Sequence, residues 1–325
     1  MPKAHNPRRG STQFWPRKRS KHSVARVRSW AKESKATPLG FIGYKAGMVK
    51  LLHVDNHPKS STKNQTIAAA STIIECPPMT VFGVTFYKNS RKCAAVVAEK
   101  LAKELKRKIQ LPKKTVKKFA DVKDNKNQGF PADFDDLRLL VHSNPKNTGI
   151  GTKKPKVMEV VLGGSKEEKV AYAQEALGKE INISDVFEAG NLVDVHGVTK
   201  GKGFQGTVKR YGVQIRQHKS EKTKRGIGNL GAWTPKRVDF TVPQPGKMGY
   251  HLRTEYNKQI LSIGQDGKAV TSAGGITHYG QVNNNYLLIK GSVVGPKKKA
   301  LFLAKAIRPH KKFTKDAPEI VNIIK

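Results

Sequence analysis

The hexapeptide Gly201-Lys202-Gly203-Phe204-Gln205-Gly206 matches the phosphate-handling signature G-x-G-x-x-G. In a dinucleotide-binding unit that signature follows a strand, opens a helix and has an acid about twenty residues further on. Here residues 207–214 read as β-like, broken by Gly212, and Glu221 sits in a strongly basic loop, so dinucleotide chemistry does not fit. A Walker loop fails too, because Gly201-Lys202 runs into Gly203 with no Ser or Thr to hold magnesium. Simpler chemistry remains. Glycines let a backbone approach a sugar-phosphate strand closely, while Lys200, Lys202, Lys209 and Arg210 neutralise it.

The stretch that follows strengthens this reading. Arg216, Lys219, Lys222, Lys224 and Arg225 crowd one loop, and between residues 199 and 254 the only acids are Glu221 and Asp239. One large flat ring, Trp233, stands between Gly231-Ala232 and Thr234-Pro235. Such a segment is no packed core and settles only against a polyanion.

Catalytic and metal chemistry find no support elsewhere. The histidines are scattered, and His196, His218 and His251 fall in or beside the basic stretch, where a ring stacks on a base or donates to phosphate more readily than it acts as a general base. Asp133, Asp135 and Asp136 form an acidic cluster with no converging ligands, which reads as a solvated loop or helix start. Cys76 and Cys93 form no CxxC pair, so zinc ribbons and disulfide scaffolds are out, and a reducing compartment is the simple reading. The chain reads as a non-enzyme with no cofactor, no metal and no small-molecule substrate.

Charge carries the same message over the whole length. Against 62 Lys and Arg there are 24 Asp and Glu, a formal +38 on 325 residues. A partner dense in phosphate relieves that self-repulsion and releases condensed counterions. Nucleic acid is the leading partner, ahead of an anionic membrane, since no apolar insertion face and no run of about eighteen apolar residues is present. The Arg-rich start resembles a transit peptide, but Pro2, Pro7 and Pro16 would interrupt the helix such a peptide needs, and no apolar signal region is found.

These residues need elements to position them. Residues 1–36 read as a basic extension, with Arg8, Arg9, Arg17, Arg19, Arg26 and Arg28 interleaved with Phe14, Trp15 and Trp30. That mixture suits phosphate pairing and base stacking. Strand signals fill residues 37–90, at 40–54, 69–75 and 79–86. Residues 91–181 read as an inserted α+β module facing solvent, with helices at 91–108 and 166–177 and strands at 137–142 and 156–162. Strand character returns over residues 182–325, at 191–195, 259–263, 276–279, 286–290, 292–294 and 301–307, around a central basic extension, 197–256. Two strand sets flanking an insertion suggest a mainly β fold with one barrel assembled from both halves of the chain.

Several strings carry a resemblance. Residues 193–206, Lys209-Arg210, Gly231 to Pro235, Pro245 to Thr254 and Gly43 to Met48, in this order of the family's motifs, resemble the large-subunit ribosomal protein L3 family in its archaeal and eukaryotic branch. The match covers nearly the whole chain, which looks archaeal because it is short and lacks the long basic C-terminal extension of eukaryotic members. The resemblance implies a closed six-stranded Greek-key β-barrel like that of translation factors, an α+β insertion, and long basic rRNA-penetrating extensions. It also implies a cytoplasmic ribosomal location, neighbouring large-subunit proteins as partners, and early binding of large-subunit rRNA near its 3′ end, with the central extension reaching toward the peptidyl transferase centre and Trp233 at its tip. By analogy Gly203, Phe204, Gln205, His251 and Arg253 join the contacts, and Lys45, His218, Lys236, Arg237 and Lys247 complete the expected RNA-binding set. Eukaryotic relatives tend to carry His where Lys224 stands, so a role tied to that histidine does not transfer. The competing readings are an RNA-modifying enzyme docking through a basic surface, with 201–206 as its cofactor loop, and a DNA compactor.

Overall fold

The structure, a computed structural model, describes residues 7–111, 134–220, 222–311, 313 and 316–325. Asp133, Glu221 and residues 112–133 of the expected insertion lie outside them. The chain forms two compact units: Met1–Ser23 with Val198–Leu252, here the basic unit, and Val24–Gly197 with Arg253–Lys325, here the body.

The molecule is mainly β. In chain order its elements are β1 Gly40–Val54, β2 Thr66–Glu75, β3 Met79–Lys88, β4 Arg91–Val97, β5 Asp136–Ser143, β6 Val157–Val161, α1 Lys166–Ala176, β7 Glu180–Ile181, β8 Leu192–Val198, β9 Gly201–Gln205, α2 Thr207–Tyr211, β10 Gly246–Gly249, β11 Leu252–Gly264, β12 Tyr286–Lys290, β13 Ala300–Lys305 and β14 Ile320–Ile324. The larger sheet runs β13-β8-β11-β12-β2-β1-β14, and β13 also pairs with β1. The smaller sheet of the body runs β4-β3-β5-β6, with β7 on β3. Among the described residues no helix is long and apolar enough to cross a membrane.

Phe41, Ile42, Phe302, Leu303 and Val195 from the larger sheet share one buried cluster with Val84, Phe86, Leu139 and Val160 from the smaller. Removing each such side chain from water stabilises the fold by about 1.5–3 kcal/mol. The N-terminal stretch divides between the units. Residues 24–36 belong to the body, where Ala25 is buried and Trp30 meets Phe302 edge-on at 5.6 Å between ring centroids.

Among the described residues of the body two carboxylates are buried, each held by donors. Glu75 Oε1 accepts from the backbone N–H groups of Asn283 (2.9 Å) and Asn284 (3.1 Å) and from Asn284 Nδ2 (2.8 Å), while Oε2 accepts from the Tyr279 hydroxyl. Asp194 accepts from the N–H groups of Asn257 and Ile307. Tyr44 is matched likewise, its hydroxyl lying 2.8 Å from Ser143 Oγ.

Four expectations are corrected. Residues 91–108 do not form a helix: Asn89 and Ser90, both at positive φ, turn the chain back so that β4 pairs with β3. Those angles make a two-residue type I′ hairpin loop, and only a short 3₁₀ turn follows at Lys103–Arg107. Residues 207–211 are helical, closed by Gly212 at φ 69°, the left-handed cap that glycine supplies. Residues 276–279 make a turn bridged from Ile276 to Gly280, and residues 292–294 are not a strand. Of the acidic cluster, Asp135 stands in an exposed loop, as one expected alternative had it, and accepts from the Asn89 N–H, while Asp136 begins β5 and pairs with Lys169 at 2.9 Å. Helix α1 forms within the expected span, with Ser165 and Glu168 reciprocally capping its first turn.

Candidate nucleic-acid interface

The basic unit is built around a hairpin. Strands β9 and β10 pair antiparallel, with Gly246 opposite Gln205, Lys247 opposite Phe204 and Gly249 opposite Gly201. The irregularity before Gly249 puts that residue at φ 74°, where a Cβ would lie 1.9 Å from the Lys200 carbonyl oxygen, so only glycine fits. The G-x-G-x-x-G string is thus strand β9, its backbone paired with β10 rather than wrapped around a pyrophosphate. The helix that follows, α2, has only 5 residues. The strand-loop-helix turn of a dinucleotide site is not built.

Five side chains of the expected set are engaged within this unit. Arg210 donates from Nε to Lys247 O (3.2 Å), from Nη1 to Gln244 O (2.8 Å) and from Nη2 to Arg17 O (3.2 Å). Arg17 answers by donating to Arg210 O at 3.1 Å, with its guanidinium 4.2 Å above the Tyr211 ring. His251 accepts at Nε2 from the Gly249 N–H (3.1 Å), so Nδ1 carries the proton and donates to Lys18 O (3.0 Å). The ring is a strut between the Gly249 N–H and the Lys18 carbonyl. Half-buried Trp15 lies over Tyr211 at 6.4 Å and meets Phe240 edge-on at 5.8 Å. Gln205 bends back to donate to Lys202 O at 2.7 Å.

The remaining members face outward. Arg8, Arg9, Arg19, Lys200, Lys202, Gly203, Lys209, Arg216, His218, Lys224, Arg225, Lys236, Arg237 and Lys247 are exposed, and among the described residues no ion pair forms within this unit. Interleaved with them are apolar surfaces that water disfavours: Trp233 is 85% exposed, Phe204 71% and Phe240 69%. Beside Phe204, residues 17–21 and Gly246-Lys247 line an open groove. A ring platform inside a basic groove is what a single-stranded polyanion with stacking bases needs.

Four expected contacts lie in the body. Arg26 and Arg28 are exposed there, Arg253 is half-buried in β11, and Lys45 directs its ammonium to the carbonyls of Val293 and Gly295. The sequence reading missed Tyr211 and Phe240, which complete the ring stack. Their signal was slight: lone aromatics in a segment otherwise poor in apolar residues.

A β body joined to an acid-poor unit of exposed cations and rings is a nucleic-acid-binding scaffold in make-up, with no catalytic constellation among the described residues. Comparison with known proteins gives the particular family. The profile of the ribosomal protein L3 family matches residues 1–324. The chain is 46% identical to the large ribosomal subunit protein uL3 of Methanocaldococcus jannaschii, over 98% of this chain and 96% of that one. It is 45% identical to uL3 of Methanococcus vannielii, over 94% and 93%, and 41% identical to uL3 of Methanothrix thermoacetophila, over 100% and 98%. The chain belongs to the ribosomal protein L3 family. It is accordingly a structural constituent of the large ribosomal subunit and not an enzyme, which sets aside the RNA-modifying reading.

Proposed function

We propose that this chain binds large-subunit rRNA near its 3′ end early in assembly, using the basic unit as its main grip. The central extension, residues 197–256, then reaches toward the peptidyl transferase centre with Trp233 leading. The observation that carries this reading is the pairing of exposed cations with exposed rings on a unit that keeps little apolar surface for itself. Lys200, Lys202, Lys209, Arg216, Lys224, Arg225 and Lys247 neutralise phosphates, and Phe204 and Trp233 pack on nucleotides. Arg17, Arg210, Trp15 and His251 hold the unit in shape for that contact. Arg8, Arg9, Arg19, Arg26 and Arg28 extend the grip along the N-terminal extension, 1–36, and neighbouring large-subunit proteins complete the surroundings.

The scaffold behind it is a closed six-stranded Greek-key barrel made of β13, β8, β11, β12, β2 and β1. Its support is the pairing of β13 with β1, the two ends of that six-strand series. The barrel takes its strands from residues 37–90 and 182–325, and the module at 91–181 is inserted between them, with β3 of the first segment joining the module's sheet.

Salt-titrated binding to a 3′-domain fragment of large-subunit rRNA, with duplex DNA of equal length as competitor, tests the reading. Neutralising about ten phosphates predicts a log–log slope of order −7 to −9 that DNA cannot displace. Equal competition by DNA would reduce the charge to general polyanion affinity.

A further inference from the structure

A cavity of about 370 Å³ opens in the body where β1, β2, β11 and β12 contribute His53, Ile67, Gln259 and Lys290. Its size lies in the range of small-ligand sites, about 300–1,000 Å³. One buried polar group in its lining has unused bonding capacity. His53 is 2% exposed, yet its Nδ1 has no hydrogen-bond partner. Gln259, 6% exposed, lines the same cavity. Leaving a buried polar atom unmatched costs about 1–3 kcal/mol, so the His53 nitrogen offers an occupant a bonding position.

The chemistry of the lining narrows that occupant. Asp55 is tied into its own turn, accepting from the His57 N–H at 3.0 Å and from Thr62 Oγ1 at 2.7 Å. Among the described residues no group of three His, Cys, Asp or Glu side chains could hold a metal. Burial, helped by the nearby Lys290 charge, lowers the His53 pKa and keeps the imidazole neutral, with one donor and one acceptor. A carboxamide likewise offers both. An apolar ligand would strand these groups, and a simple anion, which only accepts, would use the Gln259 amide N–H groups and Lys290 but leave the amide carbonyl idle. A nucleobase edge carries donors and acceptors side by side, as this lining does.

We propose that this cavity takes one unpaired nucleotide of the bound RNA, its base edge against Gln259 and His53, its face along Ile67 and its phosphate toward Lys290. The proposal rests on the RNA-binding reading above and adds a second, base-reading contact, in the body.

The test titrates each of the four nucleoside 5′-monophosphates, and inorganic phosphate, into the full chain while the His53 imidazole nitrogens are followed by NMR. At least one nucleotide should shift them saturably where phosphate does not. Gln259→Leu should weaken that binding at least tenfold and the exposed, fold-neutral Lys290→Ala about threefold. No shift with any nucleotide, or an equal shift with phosphate alone, overturns the cavity. Parallel binding to the rRNA fragment separates the two readings: tight rRNA binding with a silent His53 sinks only the nucleotide site, whereas absent rRNA preference sinks both.

Discussion

In the body, Glu75 is fully buried and surrounded by four donors, and the Tyr44 hydroxyl is matched by Ser143. In the basic unit, Trp233 and Phe204 stand in water beside cations that have no ionic partner among the described residues. The body matches these buried polar groups internally, around an apolar core that carries most of its stability. The basic unit leaves its own unsatisfied, so that association completes them. Stability and affinity should therefore respond to different substitutions, and the sharpest tests ask whether they do.

The largest effect is expected at Glu75. Glu75→Ala strips four donors of their acceptor at about 1 kcal/mol or more each, so chemical denaturation should show a loss of at least about 3 kcal/mol. The salt slope of RNA binding by the molecules that remain folded should not move. A variant as stable as the parent would break the comparison on the body's side.

Next comes a pH effect confined to the body. Burial pushes the Tyr44 phenol up from 10.0 to about 12, with Glu75 adding to the shift and the Ser143 hydrogen bond opposing it. The unfolded phenol ionises first, so the contribution is complete below pH 10 and is lost as pH climbs from 10 to 12. Urea midpoints should fall over that window by an amount worth about 2–3 kcal/mol, and Tyr44→Phe should flatten that part of the decline.

The smallest expected effect lies at Trp233. Truncating a ring that stacks on a nucleotide costs about 1–3 kcal/mol of affinity, whereas an 85% exposed side chain contributes within ~0.5 kcal/mol to folding. Trp233→Ala should thus weaken rRNA binding and alter chemical probing near the peptidyl transferase centre at an unchanged melting temperature. A destabilised free protein would show that the ring anchors its own loop.

Legibility in the sequence followed how local each signal was. β1, β3 and β12 were readable because β-branched, aromatic and other apolar residues dominate them in spite of Gly43, Gly47 and Gly83, and the span of α1 was readable too. Residues 91–108 misled because Ala94, Val97, Leu101 and Leu105 mimic a helical stripe, while the deciding signal was the Asn89-Ser90 turn just upstream. α2 was missed although Gly212 marks its end. The exposed cations could be named from composition alone. That Arg210 and His251 are braces could not, since their partners lie at residues 17, 18, 244 and 247 as well as nearby. The pairing of His53 with Gln259 and Lys290 was equally hidden, for three strands must assemble before those residues meet.

The pairing of β1 also sets a timetable. Gly40 waits for Ala304 and Lys50 for Ile324, so the first strand made finds two of its partners only when synthesis is nearly over. At roughly 5–20 residues per second that delay is on the order of ten to fifty seconds. Throughout it the nascent chain carries an open strand edge, and for the last part of it the polycationic loop has been made too, so this protein is at its most vulnerable to wrong partners before its own last strand exists.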